Sequence, residues 1–433
     1  MSDAMIKAAI VVQRYGKDIV GGSETLARDV AERLNASGFD VTVFTTTARD
    51  YITWKNEFKP GESILKGVII KRFDSAAERD IQSFNKFSET LFKRKTGEYA
   101  GHDQHDQPDQ TDDTDAPVEQ AEKEWIRMQG PYCPDLIAAI REQQDNFDVF
   151  LFFTYLYYTT IEGLKVIEKP VVLFPTAHDE APIYLRFMKH VFKRPEALFF
   201  LSEAEMNFVK ELFAPPGAVE LVRTGIEIRG DIEEILFRKN YLQFAPYILY
   251  AGRIEKGKGL EPVFEAYRQI RENRPVEFVL MGKKLMDIPG MEGLKYVGYV
   301  SEEEKLSAFK GALVSVQPSA LESLSITTLE SFSQKTPVLV NKDSRVLCEH
   351  IELSGGGAAY GNVQELVEQV YALYDQKKTA KAMGLKGYEY VKKYYSWDVV
   401  MEKIKKQLEK LTQGALLKNA VFPPLDPRKT FDK

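Results

Sequence analysis

The chain has 433 residues, more than one ordinary core organises, so two or three domains are expected. Apolar residues make up 44% and charged residues 28%, the balance of a soluble globular protein, and the net charge of -6 argues against a general nucleic-acid binder. Two distant cysteines, Cys133 and Cys348, make a disulfide framework or a structural zinc site unlikely on chemical grounds, and no apolar run approaches membrane-spanning length.

No long apolar stretch precedes the first strand, so no signal peptide is expected and the cytoplasm is the expected compartment. Residues 8–12 read as a buried strand. A helix over 22–36 follows, with Leu26, Val30, Ala31 and Leu34 on one stripe. Gly21-Gly22-Ser23-Glu24-Thr25 joins the two, with Lys17 and Asp18 nearby; this is either an ordinary β–α turn or a ligand loop. Strands are expected over 40–45, 68–73, 147–153, 170–174 and 197–201. Their alternation with polar or helical sequence predicts a parallel sheet covered on both faces.

Residues 98–124 have almost no apolar side chains and are expected to form a mobile acidic insertion; His102 and His105 within it lack the fixed support that metal ligands need. Gln129 to Pro134 is rich in turn formers ahead of a helix at 135–145, as an acceptor-side segment or a plain helix start. His178, in Pro175-Thr176-Ala177-His178-Asp179-Glu180, stands at the carboxyl edge of the first sheet. Residues 182–194 mix cations with apolar residues, as an amphipathic helix that packs on the sheet or touches a membrane surface.

The pattern restarts near 246, after a linker region at about 228–245. Strands over 247–251, 276–281, 294–300, 313–316 and 337–340 alternate with helices such as 261–272 and 301–311. The strand 247–251 runs into Gly252-Arg253-Ile254-Glu255-Lys256-Gly257-Lys258-Gly259. Arg253 offers a fork for two phosphate oxygens, Lys258 a point charge, and the glycines allow close backbone approach. Past the strand 313–316, Glu322 and Glu330 stand in Glu322-Ser323-Leu324-Ser325-Ile326-Thr327-Thr328-Leu329-Glu330. Each also fits a capping box, with Ser319 or Thr327. Long helices run from about 362 to 411 with a break near Trp397, and a loosely held tail follows from 413.

Cations at one strand end and carboxylates after another suit a diphosphate flanked by polyols. The pairing resembles family 4 of the retaining glycosyltransferases, in which an Arg…Lys pair grips the donor diphosphate and an E-x7-E motif holds sugar and ribose. The resemblance covers nearly the whole chain outside the insertion and the tail. It implies the GT-B architecture, two Rossmann-like doubly wound α/β domains facing across a cleft. The expected divisions are 1–227 on the acceptor side, 228–396 on the nucleotide-sugar side, and 397–433 returning to the first domain.

Carried over residue by residue, Arg253 and Lys258 meet the diphosphate, Glu322 the sugar and Glu330 the ribose. Gly282 and Val300 fall where the base binds, and Gly21 and Gly22 match the family's glycine loop. Lys17, Ser23 and Asp179 fall on the acceptor side, and His178 matches a cleft histidine near the reacting sugar. The family has Gly-Phe-Gly where this chain has Ser323-Leu324-Ser325, which narrows the allowed φ and leaves donor identity open. Gly225-Ile226-Glu227 is a loose match to Asn-Gly-Val-Asp.

The resemblance implies metal-independent, retaining transfer from a nucleotide-sugar co-substrate to a carbohydrate or lipid-linked acceptor, with no further cofactor. Surface polysaccharide or glycolipid assembly at the inner membrane face is the expected setting. A hydrolysing epimerase and a non-catalytic binding subunit remain the alternatives.

Overall fold

The computed structural model describes residues 5–19, 21–99, 115–242, 245–322 and 324–421. The chain divides into two compact units. Unit 1 holds Met1–Phe200, Phe208–Glu220 and Met401–Lys433; unit 2 holds Leu201–Asn207 and Leu221–Val400.

The unit 1 sheet comprises β1 (Lys7–Val11), β2 (Asp40–Thr46), β3 (Gly61–Leu65), β4 (Val68–Phe73), β5 (Val149–Phe153), β6 (Val171–Phe174), β7 (Ala197–Phe200) and β8 (Ala218–Leu221). Their order is β3-β4-β2-β1-β5-β6-β7-β8. Strands β5, β6 and β7 are buried at every position, as parallel strands between two helical layers must be. The order reverses between β1 and β5, which are parallel neighbours.

The unit 2 sheet comprises β9 (Tyr247–Ala251), β10 (Glu277–Met281), β11 (Leu294–Gly298), β12 (Val314–Gln317), β13 (Val338–Asn341) and β14 (Gly357–Tyr360). It is parallel throughout, in the order β11-β10-β9-β12-β13-β14. Along β9 the two-residue period sorts side chains cleanly. Ile248 and Tyr250 enter one apolar cluster, and Tyr247, Leu249 and Ala251 enter another. The topological switch falls between β9 and β12, the place where open α/β sheets bind ligands at the carboxyl edge.

Several expectations need correction. Residues 228–245 are no plain linker: they carry the helix Ile235–Tyr241, whose Phe237 is fully buried against the second cluster. The expected helix over 182–194 is a 3-10 turn, Ala181–Tyr184, and a short helix, Met188–Lys193. Ile183, Leu185, Met188, Val191 and Phe192 are all buried, so this segment turns its apolar side into the unit 1 core.

The acidic stretch 98–124 is not loop throughout, because the helix Asp115–Gln129 occupies its end, with Glu122 and Trp125 buried. Residues 100–114, including His102 and His105, lie outside the described residues. The last helix, Trp397–Val421, runs beyond the expected end near 411. Among the described residues, no helix is long and apolar enough to cross a membrane.

Gly225 has a packing reason. A Cβ there would stand 2.0 Å from Trp397 Cδ2, while the Ile226 N–H donates to the Tyr395 carbonyl at 2.6 Å. This segment therefore docks on the break between the helix Lys377–Tyr394 and the helix Trp397–Val421.

Candidate functional site

In unit 2 the carboxyl ends of β9, β10 and β12 are drawn together through backbone that leaves no room for side chains. The Gly252 N–H donates to the Met281 carbonyl at 2.9 Å, and a Cβ on Gly282 would fall 2.1 Å from the Gly252 oxygen. Gly282 has φ 126, which disfavours any replacement. Gly259 caps the helix Leu260–Asn273 with φ 69, and a Cβ there would meet the Pro318 oxygen at 2.7 Å. Asn341, at the end of β13, donates to that same oxygen at 3.0 Å.

This scaffold brings Lys258 and Glu322 into contact. Lys258 Nζ donates to Glu322 Oε1 at 2.6 Å, with the two side chains 22% and 18% exposed. Arg253 reaches Glu255 at 3.2 Å and is about half exposed. Lysine has three N–H donors, so a Lys258 held by Glu322 retains donors for phosphate oxygens. Glu330 goes elsewhere: it accepts from Lys305 Nζ at 2.8 Å, on the helix Glu302–Gly311. Burial pushes the Glu330 carboxyl up against the pull of Lys305. Burial alone would lower Lys305, but Glu330 and Glu302 outweigh it and hold the ammonium charged.

The capping-box readings of both glutamates fail here. Ser319 Oγ donates to the Leu321 carbonyl rather than capping with Glu322. The helix Ile326–Ser333 starts at Ser325, which makes no side-chain cap, and Glu330 lies within that helix. Ser323 lies outside the described residues. Leu324 is buried and Ser325 sits at φ 63, a left-handed conformation, with its hydroxyl 2.9 Å from Thr328 Oγ1.

The family's last glycine position thus keeps a glycine-like backbone with a serine on it. Ser325→Ala and Ser325→Gly lose the same hydroxyl, but only alanine keeps the clashing Cβ. The glycine variant is expected to be more stable than the alanine variant by about 1 kcal/mol. Denaturant unfolding of the pair checks this, and a reversed order would show that the backbone there is unstrained.

At the end of β11, the Val300 side chain packs on the second apolar cluster. Tyr299 beside it is 68% exposed.

In unit 1, Gly21 stands against Glu24: a Cβ would lie 2.2 Å from its Oε2. Glu24 is buried; its Oε1 accepts from Arg14 Nε and Nη2 and from Gln13 at 3.0 Å, and its Oε2 from Ser23 at 3.0 Å. Gly22 has open space around it, and Lys17 is exposed. His178 Nε2 lies 3.3 Å from Glu180 Oε2, and Glu180 Oε1 accepts from Tyr155 at 2.6 Å. Burial would raise the Glu180 carboxyl, but His178 and Tyr155 pull it below the usual range. Asp179 instead accepts from Tyr184 at 2.7 Å.

Sequence reading missed Arg14, Tyr155 and Lys305, and left open whether Asp179 or Glu180 orients the His178 ring. Only Glu24 and Glu180 left a signal, as acids inside motifs already singled out. No cluster of metal-ligating side chains occurs among the described residues.

Two α/β units, each with a topological switch in its sheet, define the class: this is the fold of the GT-B glycosyltransferases. Over 94% of the chain superposes on all of sucrose-phosphate synthase from Thermosynechococcus elongatus, with a TM-score of 0.68 at 14% identity. Anabaena HepE in complex with UDP and glucose gives 0.64 at 12% identity, over 94% of this chain and all of that one.

Within the fold, residues 231–390 match the family described as Glycosyl transferases group 1. A trehalose synthase of Pyrococcus horikoshii is 25% identical over 231 residues, 48% of this chain. The match spans about half of that relative, 54% of its length.

Proposed function

We propose that the chain is a retaining glycosyltransferase, moving a sugar from a nucleoside diphosphate sugar to an acceptor hydroxyl. The observation that carries this is the Lys258–Glu322 contact. A cation following β9 and a carboxylate following β12 meet at the switch point of a sheet within the matched domain. In the reaction the C1–O bond to the diphosphate breaks and the acceptor oxygen bonds C1 from the same face. The acceptor proton passes to the departing phosphate oxygen. Arg253 and Lys258 stabilise the charge that develops on the diphosphate, and Glu322 holds both Lys258 and the sugar. Glu330, fixed by Lys305, faces the ribose.

UDP is the first base to test, because HepE is described in complex with UDP and glucose. For the acceptor, the names of the relatives speak of trehalose and sucrose-phosphate. Ile183, Leu185, Met188, Val191 and Phe192 are buried, which leaves Tyr184 and part of Phe187 as the aromatic surface that 182–194 offers a lipid-linked acceptor. A free sugar or sugar phosphate is therefore favoured over a surface polysaccharide or glycolipid, in a cytoplasmic setting.

Calorimetry with UDP, GDP, dTDP and ADP, then transfer assays with the matching sugars, tests the reading. Binding without transfer would favour a non-catalytic subunit, and donor conversion without acceptor an epimerase. Transfer is expected to survive EDTA, since two side-chain cations already neutralise the diphosphate; loss in chelator restored by magnesium or manganese would refute that.

A further inference from the structure

Behind the turn at Leu324 and Ser325, unit 2 holds a line of buried polar side chains that the proposed chemistry does not use. The Leu324 carbonyl oxygen lies 2.7 Å from His350 Nε2. His350, on the helix Arg345–Ser354, has no exposed surface. Its Nδ1 lies 3.1 Å from the Tyr390 hydroxyl, which lies 3.1 Å from the Tyr395 hydroxyl. Arg223 Nη1 donates to the Tyr395 oxygen at 2.8 Å. Arg223 in turn lies 3.5 Å from Glu203.

The two ends set the direction of every bond between them. A carbonyl only accepts and a guanidinium only donates. His350 must therefore carry a proton on Nε2, and a neutral ring then presents a lone pair at Nδ1. Tyr390 gives its proton to Nδ1, Tyr395 gives its own to Tyr390, and Arg223 supplies Tyr395. Every proton between Arg223 Nη1 and the Leu324 carbonyl is used. A charged ring would reverse the middle bonds, so that Tyr390 and Arg223 both point at Tyr395 and the Tyr395 proton loses its acceptor. Burial keeps the ring neutral, pushing its pKa down to about 4 although the Leu324 carbonyl works the other way.

The turn that this line reaches is the strained one. Ser325 follows Leu324 directly and holds φ 63 without being glycine. Such a conformation persists only where its surroundings over-determine it. On one side of the turn Lys258 holds Glu322; on the other, His350 holds the Leu324 carbonyl.

We propose that His350 is a positioning residue for donor binding: its Nε2–H anchors the Leu324 carbonyl and so the Leu324–Ser325 turn that enters the helix Ile326–Ser333, while Tyr390, Tyr395 and Arg223 fix the ring. This rests on the reading of that turn as part of the donor site.

Three variants test it. In His350→Gln the amide nitrogen reaches about as far as Nε2 and still donates to Leu324. In His350→Asn it reaches only about as far as Nδ1, and His350→Ala offers nothing. UDP affinity by calorimetry, below every variant's melting temperature, should fall about tenfold or more for His350→Asn and His350→Ala. It should stay near wild type for His350→Gln. Donor KM should follow the affinities, with kcat at saturation changed less. Imidazole nitrogen NMR of the wild type should show a neutral Nε2–H ring at pH 7.

An Nδ1–H ring, or UDP affinity unchanged in all three variants while the wild type binds, overturns the inference and leaves the glycosyltransferase reading standing. A wild type that binds none of UDP, GDP, dTDP and ADP removes that reading and the inference together.

Discussion

Lys258→Ala is expected to reduce sugar transfer by about 10²–10³, the usual effect of removing one preorganised stabiliser of developing charge. The substitution also strands Glu322, only 18% exposed, without its partner at 2.6 Å. Leaving such a carboxylate unpaired costs about 1–3 kcal/mol, so lost activity alone would not distinguish a catalytic from a structural lysine. A double mutant does. Lys258→Ala with Glu322→Ala removes both charges, so stability is expected to recover while activity stays lost. Arg253, half exposed beside Glu255, is expected to lose activity comparably on Arg253→Ala with little change in stability. Near-wild-type turnover in both single variants would sink the diphosphate assignment. Activity recovered together with stability in the double mutant would make Lys258–Glu322 a structural pair.

The strands of both units were legible because parallel strands buried on two faces must be continuous apolar runs. β4 and β9 fall at their expected residues. The strands that escaped lacked that signal. β3 is the antiparallel edge strand and is exposed along almost its whole length, β8 has no fully buried residue, and β14 is only Gly357–Tyr360. The capping boxes misled for a related reason. A local motif such as Ser319…Glu322 says what a side chain can do for its neighbours. The fold offered Glu322 a lysine 64 residues away. Lys305, 25 residues from Glu330, is likewise invisible to a local reading. The missing Gly-Phe-Gly was visible, and so was its consequence of a restricted φ. Ser325 holds the left-handed conformation between a local hydroxyl contact to Thr328 and a tertiary anchor on Leu324, the His350 ring 26 residues away.

His178→Ala is expected to lower turnover strongly and to leave nucleotide affinity nearly unchanged. His178 belongs to unit 1, after β6, whereas Arg253, Lys258 and Glu322 belong to unit 2. In the proposed reaction its contacts are those that the family resemblance implies, with the transferred sugar or the acceptor. Such contacts strengthen as the sugar gains positive character, which is a transition-state effect read in kcat. The sequence left open which acid orients the ring, and the geometry assigns Glu180, 3.3 Å from Nε2, itself held by Tyr155 at 2.6 Å. Asp179 is taken by Tyr184. Glu180→Gln is therefore expected to lower turnover in the same direction but by less than His178→Ala, because the ring loses its anchor and not its presence. Asp179→Asn is expected to leave kcat close to wild type. Nucleotide calorimetry and turnover measured on the same three variants decide the matter. Unchanged turnover in His178→Ala would make it a plain loop residue. Weakened nucleotide binding with normal turnover at saturation would move it to the nucleotide side.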